Sequence, residues 1–198
     1  PFYVFTAVRK IFFFLDPRRT GKVRIVDVLE SPLLAELLEL RDTGPLVSEP
    51  GSTSPRSDQA QGHSQSWFSA HSALRVYSQY LDLDVDHNGM LSETELGAYG
   101  LGSLTSVFVE RVFQVTPRFC FAEGLFGNIF FFLVTDQHYF VFTQECHTYD
   151  GEMDYKTFLD FVLAMEYKKT PQALQYFWRL LDIKNEGFID VFTINYFF

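Results

Sequence analysis

Apolar residues recur every three or four positions along most of the chain, which places them on one face of an α-helix. The first such segment, 3–15, ends at Asp16-Pro17, because proline disfavours helical backbone at the residue before it. Helices are predicted over segments 3–15, 28–40, 72–81, 107–113, 155–165 and 173–181. The chain is therefore predicted to be mainly α-helical.

Two segments interrupt this pattern. Segment 43–66 is rich in Gly, Pro, Ser, Thr and Gln, without the apolar periodicity that could offset the entropy lost on ordering. It is predicted to be a flexible linker. Segment 115–144 is rich in Phe and Gly, has strand-like character at 129–134 and 139–142, and is interpreted as an atypical insertion.

One acidic loop, 84–95, matches the twelve-residue EF-hand pattern at each position where calcium binding requires a particular type of residue. Calcium takes about six to eight oxygen ligands, and a bidentate glutamate in the last position favours it over magnesium. The predicted metal ligands are the side chains of Asp84, Asp86, Asn88, Ser92 and Glu95 and the backbone carbonyl of Met90. The predicted cofactor is therefore Ca2+.

Gly89 and Leu91 also fit the interpretation of this loop as an EF-hand. Gly89 is sixth, where the chain must turn with a positive φ that costs other residues about 1 kcal/mol or more. Leu91 is eighth, where it can be buried and join a neighbouring loop through a short strand contact. The alternative is an acidic surface turn built on Asn88-Gly89, but the complete template favours calcium.

Three other segments keep a glycine in the sixth position and an apolar residue in the eighth, and they span 16–27, 146–157 and 182–193. Arg18 and Lys184 are third in the first and last of these, where a positive side chain would oppose a cation. The middle segment begins with Cys146 and ends with Thr157. We expect all three loops to be metal-free, so that the fold consists of EF-hand helix-loop-helix repeats with one intact calcium loop and several degenerate ones.

The spacing of these repeats gives a reason to question segment 115–144. The interval from Gly151 to Gly187 is 36 residues, whereas that from Gly89 to Gly151 is 62. Removal of the 30 residues 115–144 would reduce the longer interval to 32. Our hypothesis is that this segment is a retained intron, and transcripts that consistently include it would refute the hypothesis.

Composition excludes several classes of function. A net charge of −9 opposes nucleic-acid binding, which needs clustered Lys and Arg. The two cysteines, Cys120 and Cys146, form no zinc or disulfide pattern. No apolar run reaches the roughly 20 residues of a membrane span, and no nucleophile, P-loop or H-E-x-x-H motif predicts an enzyme, so no catalytic residue is assigned.

Several strings resemble the B'' regulatory subunits of protein phosphatase 2A. They are Tyr-Val-Phe-Thr-Ala-Val-Arg-Lys at 3–10, Trp-Phe-Ser-Ala at 67–70, Ala-Leu-Arg-Val-Tyr at 73–77, Asp-His-Asn-Gly-Met-Leu-Ser at 86–92, Tyr-Asp-Gly-Glu-Met-Asp-Tyr-Lys-Thr at 149–157 and Asn-Tyr-Phe-Phe at the end. The resemblance covers 1–42, 67–114 and 145–198. It implies a non-enzymatic subunit that binds the phosphatase scaffold and catalytic subunits and directs substrate choice or location.

The expected organisation follows from these patterns. Segment 1–42 is a degenerate EF-hand-like unit, 43–66 a linker, 67–114 the EF-hand with the intact loop, 115–144 the insertion, and 145–198 a degenerate, truncated EF-hand-like region. We expect a cytoplasmic location, with the nucleus or centrosome as alternatives. The competing functional interpretation is a generic EF-hand calcium sensor or adaptor that binds a target helix.

Overall fold

A computed structural model describes residues 2–42, 66–115, 132–134, 139–142 and 151–197. These residues form α1 Phe2–Leu15, β1 Lys22–Arg24, α2 Ile25–Glu30, α3 Pro32–Asp42, α4 Ala70–Leu83, α5 Glu93–Gly97, α6 Tyr99–Gly102, α7 Ser106–Val115, β2 Phe132–Val134, β3 Tyr139–Phe142, α8 Tyr155–Glu166, α9 Pro171–Leu181 and α10 Val191–Phe197. The prediction of a mainly α-helical protein is confirmed.

One predicted helix is divided in two. The apolar pattern over 28–40 predicted a continuous helix, but α2 ends before Ser31 and α3 begins at Pro32. Ser31 has an extended backbone with φ −78° and ψ 143°, which is the conformation that a following proline favours. Periodicity alone does not detect this break, because the apolar spacing continues across it.

The chain forms two compact units. The first comprises Pro1–Tyr77 with Phe132–Val141, and the second comprises Ser78–Phe131 with Phe142–Phe198. The linker predicted over 43–66 lies outside the described residues except for Ser66, and most of the predicted insertion 115–144 does too. Those two interpretations therefore stay predictions.

The first unit is built on α1. Trp67 and Phe68 are almost fully buried, and the Trp67 indole N–H donates to the carbonyl of Thr6 at 3.0 Å. The ammonium of Lys10, only 3% exposed, pairs with Glu36 at 2.8 Å, which offsets the cost of burying its charge.

Three short strands lie in the first unit, except for Phe142 at the end of β3. They lie in the order β1, β3, β2, and β1 pairs with β3 in antiparallel register, with Val23 opposite Phe140. The strand-like character read from the sequence at 129–134 and 139–142 corresponds to β2 and β3.

The second unit packs around α8. Phe158, Phe161 and Leu163 of this helix are fully buried. Tyr80 of α4 lies 5.3 Å from Phe158 between ring centroids, and Tyr99 lies 5.0 Å from Phe161. These contacts pack α4 and α6 against α8.

Within the described part of the chain, no helix combines the length and the apolar character required to cross a bilayer.

Candidate metal centre

Two helices frame the acidic loop. Helix α4 ends at Leu83 and α5 begins at Glu93. Ser92 caps α5, because its side chain accepts from the Glu95 backbone N–H while the Glu95 carboxylate accepts from the Ser92 backbone N–H at 2.9 Å. This reciprocal capping box is what Ser-x-x-Glu ahead of a helix favours.

The loop backbone turns sharply at two residues. His87 has a φ of 57° and Gly89 a φ of 81°, both in the left-handed region. The Asp84 carboxylate accepts a hydrogen bond from the Gly89 N–H at 3.1 Å and closes the turn. The glycine predicted in the sixth position therefore has the positive φ expected of it.

Three carboxylates converge inside this turn. One oxygen each of Asp84, Asp86 and Glu95 lie within 4.8 Å of one another. Asp84 is only 3% exposed, and its Oδ1 atom has no hydrogen-bond partner among the described residues. A buried oxygen without a donor beside two further negative charges is unfavourable unless a cation satisfies it. The donor set consists of oxygen atoms and fits a hard divalent cation.

Glu95 links the two ends of the loop. Its Oε1 accepts from the Val85 N–H at 2.8 Å, and its Oε2 accepts from the Ser92 hydroxyl at 2.7 Å. Although burial by itself would raise the pKa of Glu95, the hydrogen bonds from Ser92, Val85 and Asp86 lower it below its usual value. The carboxylate is therefore ionised at neutral pH, as a cation ligand must be.

The remaining predicted ligands lie along the same loop. Asn88 donates from Nδ2 to the Asp86 carboxylate at 3.1 Å and accepts at Oδ1 from the Met90 N–H at 2.7 Å. Ser92 directs its hydroxyl to Glu95. The structure thus brings Asp84, Asp86 and Glu95 together as a cluster and places Asn88 against Asp86. The assignment of all six residues as metal ligands stays a prediction.

A second loop lies alongside the first. Leu91 and Met153 form an antiparallel bridge, in which each backbone N–H donates to the other residue's carbonyl at 2.8 and 2.7 Å. The short strand contact expected at Leu91 is therefore present, and its partner comes from the loop that contains Gly151.

Two residues outside the twelve-residue motif also touch this loop. The Tyr80 hydroxyl donates to the carbonyls of Gly89 at 2.8 Å and Met153 at 3.3 Å. Burial raises the pKa of Tyr80, and the nearby Asp154 and Asp84 carboxylates raise it further, so the hydroxyl keeps its proton. Glu152 accepts from Asn88 Nδ2 at 3.1 Å. Sequence reasoning missed both, since Tyr80 reads as an ordinary apolar position of α4 and no motif marks Glu152.

Two of the degenerate loops repeat the backbone geometry. Asp16 accepts from the Gly21 N–H at 2.7 Å, and Asp182 accepts from the Gly187 N–H at 2.9 Å, as Asp84 does from Gly89. Positive φ values recur in the fourth and sixth positions of these loops, at Arg19, Gly21, Asn185 and Gly187. The three loops therefore share one turn despite their different side chains.

Both of these loops contain an internal positive charge. Lys184 pairs with Asp190 at 2.7 Å, and Arg24 pairs with Asp27 at 2.6 Å. The hydrogen bond from Lys184 holds the pKa of the Asp190 carboxyl well below its usual range. A carboxylate that is already neutralised by a side chain has less to gain from a metal ion.

Comparison with solved structures defines the class of fold. The chain superimposes on a chain of the PP2A PR70 holoenzyme, described as a diCa form, with a TM-score of 0.65 over 98% of this chain and 56% of that chain. The two sequences are 20% identical in that comparison, so it shows the similarity of fold alone. No family model matches the chain.

Comparison with curated proteins gives particular relatives. The chain is 51% identical over 197 residues to the gamma member of the B'' regulatory subunits of serine/threonine-protein phosphatase 2A from Homo sapiens, and equally to that from Danio rerio. It is 37% identical over 196 residues to TON2 of Arabidopsis thaliana, a probable member of the same B'' group. These alignments cover 99% or more of this chain but 34% of each relative, so the chain spans about a third of their length. The chain belongs to the family of B'' regulatory subunits, and the resemblance is confirmed.

Proposed function

We propose that the chain is part of a non-catalytic B'' regulatory subunit, which binds the scaffold and catalytic subunits of protein phosphatase 2A and directs substrate choice. The observation that carries this proposal is the 51% identity along the whole chain to the gamma subunit. The chain also shares the fold of a chain of the PP2A PR70 holoenzyme.

Co-precipitation tests this role. The tagged chain is expected to retain the phosphatase scaffold and catalytic subunits from purified mixtures, and the comparison is made with and without calcium. Failure to retain either subunit in both conditions contradicts the proposed role.

The second part of the proposal is that loop 84–95 is an EF-hand calcium site with the ligands predicted from the sequence. Its support is the cluster of Asp84, Asp86 and Glu95, together with the unpartnered Oδ1 atom of the buried Asp84. Calcium would offset two of the three negative charges of these carboxylates. The loop would then hold α4 and α5 at a fixed angle, since its two ends contribute ligands to one ion.

The substitution Glu95→Gln separates the proposed role of Glu95 as a metal ligand from its role in the helix cap. Glutamine preserves the capping box but lacks the negative charge and cannot chelate calcium through two oxygens. Calcium is expected to stabilise the wild type by about 2.7 kcal/mol at a hundredfold excess over Kd, and to leave Glu95→Gln almost unchanged. Thermal unfolding with and without calcium measures this difference.

Glu93→Gln is the matched control. It removes the same charge from the same helical turn, but Glu93 is exposed and is not a predicted ligand. Calcium should therefore stabilise this variant nearly as much as the wild type. Equal loss of stabilisation in both variants contradicts the ligand assignment of Glu95.

A further inference from the structure

Glu152 touches the acidic loop from outside its motif. It lies between Gly151 and Met153 in the neighbouring loop, 64 positions along the chain from Asn88. Its Oε1 atom accepts a hydrogen bond from Asn88 Nδ2 at 3.1 Å. This contact joins a predicted calcium ligand to a loop that is itself expected to bind no metal.

The backbone beside Glu152 is held firmly. Met153 donates to the Leu91 carbonyl at 2.7 Å and accepts from the Leu91 N–H at 2.8 Å. The buried Tyr80 hydroxyl donates to the same Met153 carbonyl. The backbone that carries the Glu152 carboxylate is therefore held in place next to Asn88 by these hydrogen bonds.

The contact favours the same orientation of the Asn88 amide as the contacts with Asp86 and Met90. The amide has one oxygen that can bind a cation and one NH2 group that cannot. Its NH2 group meets two carboxylate oxygens, one from Asp86 and one from Glu152, while its oxygen meets the Met90 N–H. A reversed amide would place its oxygen against both carboxylates and its NH2 group against an N–H donor, which is electrostatically unfavourable.

We propose that Glu152 is a positioning residue of the metal centre, which holds Asn88 with its oxygen available to the cation. This inference rests on the proposed calcium site. Glu152 acts through Asn88, since the carboxylates that converge in the described residues are those of Asp84, Asp86 and Glu95. The degenerate loop thereby contributes to cation affinity without a ligand of its own.

Calcium titration of the full chain tests the proposal. Glu152→Ala should weaken calcium binding about three- to tenfold, which is the net scale of one ordinary hydrogen bond. Glu152→Gln retains an acceptor oxygen and should stay within about twofold of the wild type, as should the charge control Glu93→Gln. Equal weakening by all three substitutions would show that general negative charge, not the contact with Asn88, is responsible.

A double-mutant cycle gives a readout that a merely structural role would not produce. If Glu152 acts through Asn88, Glu152→Ala should have almost no further effect on calcium affinity in an Asn88→Ala background. Additive effects overturn the proposal. Should Glu152→Ala lose helical circular dichroism, Glu152→Asp replaces it in the cycle, because it withdraws the carboxylate by one methylene.

The proposed calcium site and the proposed role of Glu152 can be contradicted by different results. If the wild type binds no calcium, the proposed site and the role of Glu152 are both wrong. If the wild type and Glu93→Gln bind calcium but the cycle is additive, the site stands and only the role of Glu152 is wrong.

Discussion

Gly89 has a φ of 81°, and a Cβ added there would meet no atom within 4 Å. The requirement for glycine is therefore conformational and not a matter of space. Gly97, at the end of α5, also has open space where a Cβ would lie, but it lacks a positive φ. A comparison of the two glycines isolates the effect of backbone conformation, because neither position is crowded.

Alanine substitutions at these two glycines should have different effects on stability. Gly89→Ala is expected to lower the free energy of unfolding by about 1–2 kcal/mol, because a Cβ is disfavoured in the left-handed region. Gly97→Ala should leave it unchanged or raise it by up to about 1 kcal/mol, since alanine favours helix. Urea denaturation measures both, and a Gly97→Ala variant as unstable as Gly89→Ala would contradict this explanation.

At the residue scale, the residues of the turn could be predicted from the sequence, whereas the residues that contact the turn from outside could not. Asp84, Gly89 and Leu91 were assigned from a local template, because each meets a demand set within twelve residues. Glu152 could not be found that way, since its partner Asn88 is distant in sequence. Tyr80 matches helical periodicity, and only the structure shows where its hydroxyl donates.

At the element scale, Tyr80 ties α4 to both loops. Its ring packs against Phe158 while its hydroxyl reaches the carbonyls of Gly89 and Met153. These contacts connect the end of α4 to both loops. Helix positions were readily predicted from periodicity, whereas this coupling depends on tertiary packing.

Tyr80→Phe should preserve the ring contacts but remove the shared donor. The expected loss is about 1 kcal/mol in the free energy of unfolding, because the Gly89 and Met153 carbonyls lose a hydrogen-bond donor. Tyr196→Phe is the control, since Tyr196 is 50% exposed and its change should be within about 0.5 kcal/mol. Equal effects of the two substitutions in chemical denaturation would argue against the coupling.

The loop 182–193 repeats the turn of loop 84–95 but contains an internal ammonium. Lys184 pairs with Asp190, and Thr193 is in the position that a bidentate glutamate would require. The double substitution K184N/T193E should therefore create a second calcium site. Calcium stoichiometry of the double variant and both single variants checks this, and a double variant that still binds one ion would contradict the explanation.

At the scale of the whole molecule, helical periodicity predicted the fold class but not every boundary. The break at Pro32 was hidden because apolar spacing continued through it, and the pairing of β1 with β3 joins residues far apart in the chain. The chain spans about a third of its B'' relatives, so its place in a phosphatase assembly is a proposal that co-precipitation tests.

The calcium stoichiometry of the unmodified chain tests the central claim most directly. Isothermal titration at neutral pH should give one bound ion, because one loop brings three carboxylates together while two others already contain a positive side chain. No heat of binding, or two or more equivalents, would contradict the account.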